Sequence, residues 1–128
     1  MGEENSILII DDSIMVRRTL TRILTRSDYQ VMECRDGKEA WDLLIQHLQS
    51  FKLILCDLEM PNMDGFSLLQ LIRADNTFNE IPVVVLTSRE SDVHRQRAIA
   101  LGANAYVTKP FQPNLLLETI AGLISAPV

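Results

Sequence analysis

The feature that most constrains this chain is a set of short apolar runs with no polar alternation. Ile7-Leu8-Ile9-Ile10, Leu53-Ile54-Leu55-Cys56 and Val83-Val84-Val85-Leu86 are apolar at every position, and Ala105-Tyr106-Val107 is a weaker version. A strand that faced water on one side would alternate, so runs of this kind belong to a parallel sheet covered on both faces. Val31-Met32-Glu33-Cys34 carries a charge and fits an edge strand. Between the runs lie segments with helical spacing. Val16, Leu20, Ile23 and Leu24 share one helix face, as do Ala40, Leu43, Leu44 and Leu48. Leu68, Leu69 and Ile72, then Leu116, Ile120, Leu123 and Ile124, repeat the theme. Residues 90–101 form a weaker helix, with Val93, Ile99 and Leu101 amid charge and Gly102 placed to end it.

Strand and helix therefore alternate five times. The expected fold is α/β: a doubly wound, five-stranded parallel sheet of order 2-1-3-4-5, a flavodoxin-like (βα)5 arrangement with helices on both faces. At 128 residues the chain suits one domain, expected over residues 6–125, with residues 1–5 a flexible N-terminus and 126–128 a C-terminal tail. Twelve basic residues against seventeen acidic ones argue against nucleic acid as a direct partner, because phosphate contacts need clustered Lys and Arg. No stretch approaches about 18 apolar residues, so no membrane insertion is expected. The first residues lack a signal-peptide pattern, and a cytoplasmic location follows as an expectation. Gly2 and Ser6 match a myristoylation pattern, but the segment is acidic and no polybasic signal follows. Cys34 and Cys56 belong to no paired motif and read as buried, reduced thiols. The two histidines, His47 and His94, are far apart, which disfavours zinc chemistry and a Ser-His-Asp hydrolase.

In such a sheet, ligands sit beyond the carboxyl ends of the strands, near the point where strand order reverses. Asp11-Asp12-Ser13 follows the first run, Asp57 the third, Thr87-Ser88 the fourth and Lys109-Pro110 the fifth. Strands 1, 3 and 4 are neighbours in the expected order, so these groups meet on one rim. Taken singly each is ordinary: an Asp pair ahead of a helix usually caps it, and a lysine usually sits in solvent. Taken together, each supplies what the others need. Three crowded carboxylates repel, and the compensations available are Lys109 and a divalent cation bound through hard oxygen ligands. The acidic lip disfavours a flavin phosphate, and no phosphate-binding glycine motif supports a nucleotide.

Ile9-Ile10-Asp11-Asp12-Ser13, the stretch Asp57-Leu58-Glu59-Met60-Pro61-Asn62-Met63-Asp64-Gly65, Val85-Leu86-Thr87-Ser88 and the stretch from Ala103 to Phe111 resemble the receiver domain of two-component response regulators. The resemblance runs from about residue 6 to 125. It implies that Asp57 accepts a phosphoryl group from a phosphohistidine on a histidine kinase or histidine phosphotransfer domain. It implies that Asp12 and Asp57 ligate Mg2+, that Asp11 holds it through water, and that the backbone carbonyl of Glu59 completes the protein ligands. Thr87 and Lys109 would then bond the phosphoryl oxygens, and the Lys109-Pro110 peptide would be cis. Phosphoryl transfer needs positioning and charge neutralisation more than covalent assistance, so these roles are chemically coherent.

The resemblance further implies a switch in which Thr87 moves toward the phosphate and Tyr106 fills the vacated space. The surface of the fourth helix, fifth strand and fifth helix would signal to a downstream partner. Glu59 and Arg89 flank the expected path of the hydrolytic water and are candidates for tuning the phosphoryl lifetime. Arg18, Arg22 and Arg26 lie opposite the apolar stripe of the first helix, either as a solvated face or as a docking strip for the phosphodonor. The opening Asp-Asp-Ser with Met15-Val16-Arg17-Arg18 is most similar to chemotaxis-type receivers, free-standing or at the end of a hybrid chemotaxis kinase. Such a protein is not an enzyme beyond its own phosphorylation and dephosphorylation. Two alternatives remain at this stage. One is an aspartyl-phosphate phosphatase of the haloacid dehalogenase kind, although Asp57-Leu58-Glu59-Met60-Pro61 departs from its DxDxT pattern. The other is an interaction module independent of phosphorylation.

Overall fold

Every residue of β1 (Ser6–Ile10), β3 (Leu53–Asp57) and β4 (Val83–Thr87) is buried, as unalternated apolar runs require. The structure, a computed structural model, describes residues 6–47, 51–88 and 92–124. Its remaining elements are α1 (Ile14–Thr25), β2 (Gln30–Cys34), α2 (Gly37–His47), α3 (Gly65–Ala74), α4 (Asp92–Ala100), β5 (Ala105–Thr108) and α5 (Pro113–Ile124). All strand pairs are parallel and the sheet order is β2-β1-β3-β4-β5, as the alternation predicts. The expected flexible ends, residues 1–5 and 126–128, lie outside the described residues, as does Gly2.

Successive side chains of each central strand enter opposite cores. Ile7, Ile9, Leu53, Leu55, Val84 and Leu86 pack with Leu20 and Leu24 of α1 and Leu116 and Ile120 of α5. Leu8, Ile10, Ile54, Val83 and Val85 pack with Ala40 and Leu44 of α2 and Leu68, Leu69 and Ile72 of α3. Each fully buried aliphatic side chain contributes about 1.5–3 kcal/mol, so the sheet is held from both sides. Ile10 lies opposite Cys34 on one flank and Cys56 on the other. A strand therefore separates the two thiols by about 9–10 Å, beyond the reach of a disulfide. Both are free and buried, and desolvation pushes the Cys34 thiol up to about 12. The edge position of β2 also explains its charge. Glu33 faces outward and accepts from Arg17 Nε at 3.1 Å and Thr21 Oγ1 at 2.9 Å.

One helix turns differently from the expectation. Val93 and Ile99 are 72% and 49% exposed, and the buried residue of α4 is Ala98. His94, Ala98 and Leu101 share the inner face by helical spacing, with His94 stacked on Phe66 at a ring distance of 6.2 Å. Apolar residues thus misplace the stripe because a histidine and an alanine occupy the contact. Gly102 ends the helix as its sequence position predicts. Its φ is +108°, its N–H donates to Ile99 O at 3.0 Å, and Ala103 N–H donates to Ala98 O at 2.9 Å.

Arg73 ties this helix end to the rest of the fold. Its guanidinium donates to Gly102 O at 2.9 Å, Ile81 O at 2.8 Å, Asn79 O at 3.0 Å and Asn104 Oδ1 at 2.8 Å. That Asn104 oxygen also accepts from Val83 N–H at 2.9 Å. Replacing Arg73 with Met keeps the stem but strands these acceptors. The expected cost is about 2–4 kcal/mol in urea unfolding, with hydrogen-exchange protection lost first around residues 102–104; a loss below about 0.5 kcal/mol would show the clamp to be idle.

Candidate functional site

The parallel register brings the carboxyl ends of four strands to one rim. Asp57 is the last residue of β3 and Thr87 the last of β4, while Asp11 and Lys109 directly follow β1 and β5. Ligand oxygens of Asp11, Asp12 and Asp57 all lie within 4.8 Å of one another. Asp11 is fully buried, Asp57 is 5% exposed, and Asp12 faces solvent. Lys109 Nζ reaches between two of them, 2.6 Å from Asp11 Oδ2 and 3.4 Å from Asp57 Oδ1.

Local chemistry fixes each group. Ser13 caps α1 by accepting from Val16 N–H at 3.3 Å, and its own N–H donates to Asp11 Oδ1 at 2.9 Å. Arg17 Nη1 donates to the Asp11 carbonyl at 2.7 Å, tying the turn to the first helix. Asp64 caps α3 through Ser67 N–H at 2.8 Å. Gly65 follows because a Cβ there would collide with the carbonyl oxygen of Asp57. Lys109 N–H donates to Thr87 O at 2.8 Å, which sets the β5 end against β4, and the Lys109-Pro110 bond is cis as expected.

The electrostatics are unbalanced. Burial pushes the Asp57 carboxyl up to about 6, and the Asp11 charge adds to the rise. Lys109 and the backbone N–H of Glu59 act against it. Burial alone would lower the Lys109 ammonium; its bond to Asp11 and the charges of Asp57 and Asp11 raise it instead. One ammonium faces three carboxylates, and hard oxygen donors so closely grouped suit a small divalent cation.

A family model for the response regulator receiver domain matches residues 7–121. The chain belongs to this family. It is 36% identical over 115 residues to chemotaxis protein CheY1 of Helicobacter pylori J99, covering 89% of this chain and 92% of that protein. It is 33% identical over 119 residues to a chemotaxis CheY homologue of Campylobacter jejuni, covering 92% and 91%. Among solved structures, Vibrio cholerae CheY4 superposes with a TM-score of 0.84 at 32% identity, covering 92% of this chain and 97% of its own. The signal receiver domain of a Syntrophus aciditrophicus histidine kinase gives 0.85 at 31% identity, with coverage of 94% and 90%. Receivers are signalling modules of two-component systems rather than conventional enzymes. No helix of the described residues is long and apolar enough to cross a membrane.

Within this receiver, Asp11, Asp12, Asp57 and Lys109 come together as their strand-end positions predict. Thr87 is buried at the adjacent strand end. Glu59 sits in the β3–α3 segment with its amide on the Asp57 carboxylate. Tyr106 is half-buried on β5 with the Arg95 guanidinium 5.5 Å above its ring. Arg18, Arg22 and Arg26 are exposed along α1. Arg89 lies outside the described residues. The spacing argument missed Arg17, whose guanidinium bridges Asp11 and Glu33; a charged residue inside a strand pattern was the available signal.

The raised Asp57 carboxyl has a consequence for stability. The folded protein holds this proton to a higher pH than the unfolded chain, so Asp57 progressively lowers stability as pH rises from about 4 to about 6. Without divalent cations, Asp57→Asn is expected to stabilise the protein at pH 7 by on the order of 2 kcal/mol, the gain fading below about pH 4. Denaturant melts at both pH values read this directly, and an equal gain at both would refute the electrostatic origin.

Proposed function

We propose that residues 6–125 act as a phosphoryl-accepting receiver, in which Asp57 takes the phosphoryl group of a partner phosphohistidine. The observation that carries this reading is the Lys109 ammonium lodged between the buried carboxylates of Asp11 and Asp57 beside Asp12. The donor set fits Mg2+ held by Asp12 and Asp57, by the Glu59 carbonyl, and by Asp11 through water. Bound there, the ion would supply neutralisation of the carboxylates and of the incoming phosphoryl oxygens.

Asp57 acts as its carboxylate. One of its oxygens forms a bond to phosphorus as the phosphorus–nitrogen bond of the phosphohistidine breaks, and the electron pair leaves on the imidazole, which takes a proton. The product is an acyl phosphate. Lys109 and the Thr87 hydroxyl would bond its oxygens. Thr87 turning toward the phosphate, with Tyr106 following, would alter the α4–β5–α5 surface, where α4 buries only Ala98. Glu59 and Arg89 are assigned to tuning the phosphoryl lifetime at the mouth of the site. Similarity to chemotaxis receivers suggests a chemotactic output, with a histidine kinase or phosphotransfer domain as donor and a cytoplasmic setting.

The donor would meet a suitable face. A groove of about 500 Å3 lies beside Lys109, lined by Met15, Val16 and Ile23 of α1 and by Pro110 and Phe111. Arg18, Arg22 and Arg26 run along the same helix. Reversing all three charges is expected to slow phosphotransfer about tenfold or more at low salt and much less at high salt; a salt-independent, unchanged rate would make the strip a solvated face.

Intact mass after treatment with acetyl phosphate and Mg2+ tests the chemistry. One phosphoryl mass is expected on the native chain and none on Asp57→Asn or after chelation. Followed over time after donor removal, the adduct should decay several-fold faster when Glu59 and Arg89 are both replaced by Ala. An adduct that persists on Asp57→Asn would overturn the assignment.

A further inference from the structure

We propose that Asp36 and Asn62 form a brace that positions the β3–α3 segment, and with it the Glu59 backbone, at the acidic cluster. The inference rests on the reading of that cluster as a Mg2+-assisted phosphorylation site. Asp36 lies 26 residues from Asn62 in sequence, yet Asn62 Nδ2 donates to Asp36 Oδ2 at 2.7 Å. The Asp36 side chain has a separate local duty, because its Oδ1 accepts from Glu39 N–H at 2.9 Å at the start of α2. Capping a helix needs one oxygen. The second points across to a different loop.

A second contact holds the loop on that turn, and two features of the loop fix its own shape. Gly37 N–H donates to Met63 O at 3.1 Å, and a Cβ at Gly37 would meet the same oxygen at 2.6 Å. Asn62 has a φ of +67°, which a short polar side chain tolerates when it is held by a bond. At its base the segment closes through Gly65 N–H donating to Leu58 O at 3.0 Å. Glu59, Pro61, Asn62 and Asp64 are exposed while Met60 and Met63 pack against the core, so the polar contacts with the α2 turn complete an apolar anchor in setting the tip. Asp36 is itself only 4% exposed. Burial would raise its carboxyl, but the Glu39 amide and the Asn62 side chain outweigh this and hold it below the usual range. The acceptor is therefore a carboxylate, and the bond to Asn62 is of the stronger, charge-assisted kind.

The brace also borders the site. Asp36 and Asn62 line a cleft of about 370 Å3 together with Asp12, Arg35 and Pro61. Glu59 connects the segment to the chemistry at two atoms: its N–H bonds the Asp57 carboxylate, and its carbonyl is the proposed ligand. Outer partners of this type typically alter metal affinity 10–100-fold, because they fix ligands that would otherwise have to be ordered on binding. Asp36 and Asn62 are thus positioning residues: they touch neither the phosphoryl group nor the ion.

Asn62→Gly is the sharpest test, because glycine tolerates the left-handed backbone while removing the amide, and its added backbone freedom alone would not change with the charge of residue 36. Amide hydrogen exchange at Glu59 is expected to quicken about tenfold, and the Mg2+ dissociation constant, measured by calorimetry with the metal alone, to rise by roughly the same factor. Asp36→Asn keeps an oxygen for the helix cap and replaces the charge-assisted bond by at best a neutral amide–amide one, so it should move both readouts in the same direction by less, and the double variant should be no worse than Asn62→Gly alone. Unchanged Glu59 exchange and Mg2+ affinity in Asn62→Gly would overturn the brace. Exchange quickened uniformly across all amides would also overturn it, since that marks a merely structural role. Should the native chain bind no Mg2+, the metal reading fails by itself and Glu59 exchange alone decides the brace: quickening there supports it and no change refutes it.

Discussion

Two buried carboxylates and one partly exposed ammonium meet at the end of the sheet, and much of the rim is arranged around that contact. Lys109 Nζ approaches Asp11 Oδ2 and Asp57 Oδ1 from the end of β5, whereas the acids stand at the ends of β1 and β3. No single turn could hold the three groups; four strand ends in fixed register can. The central strands are buried on both faces, so their polar successors have only the ends of the sheet to occupy. This is why the chemistry collects at one edge of an otherwise apolar structure. It is also why Lys109 N–H bonds the Thr87 carbonyl, since the lysine backbone must be fixed before its side chain can be.

The rim connects to the surface through contacts that need no long pathway. Gly65 sits against the Asp57 carbonyl, and Phe66 follows it on α3. The Phe66 ring carries the Arg97 guanidinium 4.1 Å from its centre, and His94 stacks against it. Both partners belong to α4, whose inner face is otherwise supplied by Ala98. A helix held by two cations over rings, a stacked histidine and one buried alanine has little aliphatic area to lose on moving. Its C-terminal end is different, because the glycine cap and the Arg73 clamp anchor it. The helix is firm at one end and lightly held along its length.

Much of this was legible in the residues. The unalternated runs marked the central strands as buried on both faces, and the alternation with helical spacings suggested five parallel strands in the order 2-1-3-4-5, one of the two common doubly wound arrangements. Asp11, Asp12, Asp57, Thr87 and Lys109 were legible because strand ends in this topology must converge. Contacts made by single side chains to backbone oxygens were not. Nothing in the sequence pattern marked Arg73, and only the fold shows that its guanidinium serves carbonyls of distant turns and that Arg17 serves the carbonyl of Asp11. The Asp36–Asn62 bond was hidden for the same reason: each residue has a plausible local use, a cap and a turn. The α4 stripe was misread because periodicity counts apolar residues, whereas His94 and Ala98 make the contact.

The charge excess links stability to responsiveness. Among the described residues the site sets three carboxylates against one ammonium, and burial together with the Asp11 charge raises the Asp57 carboxyl. Attaching a phosphoryl group adds further negative charge and acceptor oxygens at the same point. Lys109 already directs its ammonium at Asp11 and Asp57, which leaves one of its three N–H donors for a new oxygen. Thr87 is the neighbouring hydroxyl, and it stands on the strand that β5 is paired to. A site at charge balance could absorb a phosphate in place. One that starts with an excess would have to take up a cation, move its donors, or both, and in the proposed switch movement of Thr87 or Lys109 would act on the β4–β5 pair, on which Tyr106 stands.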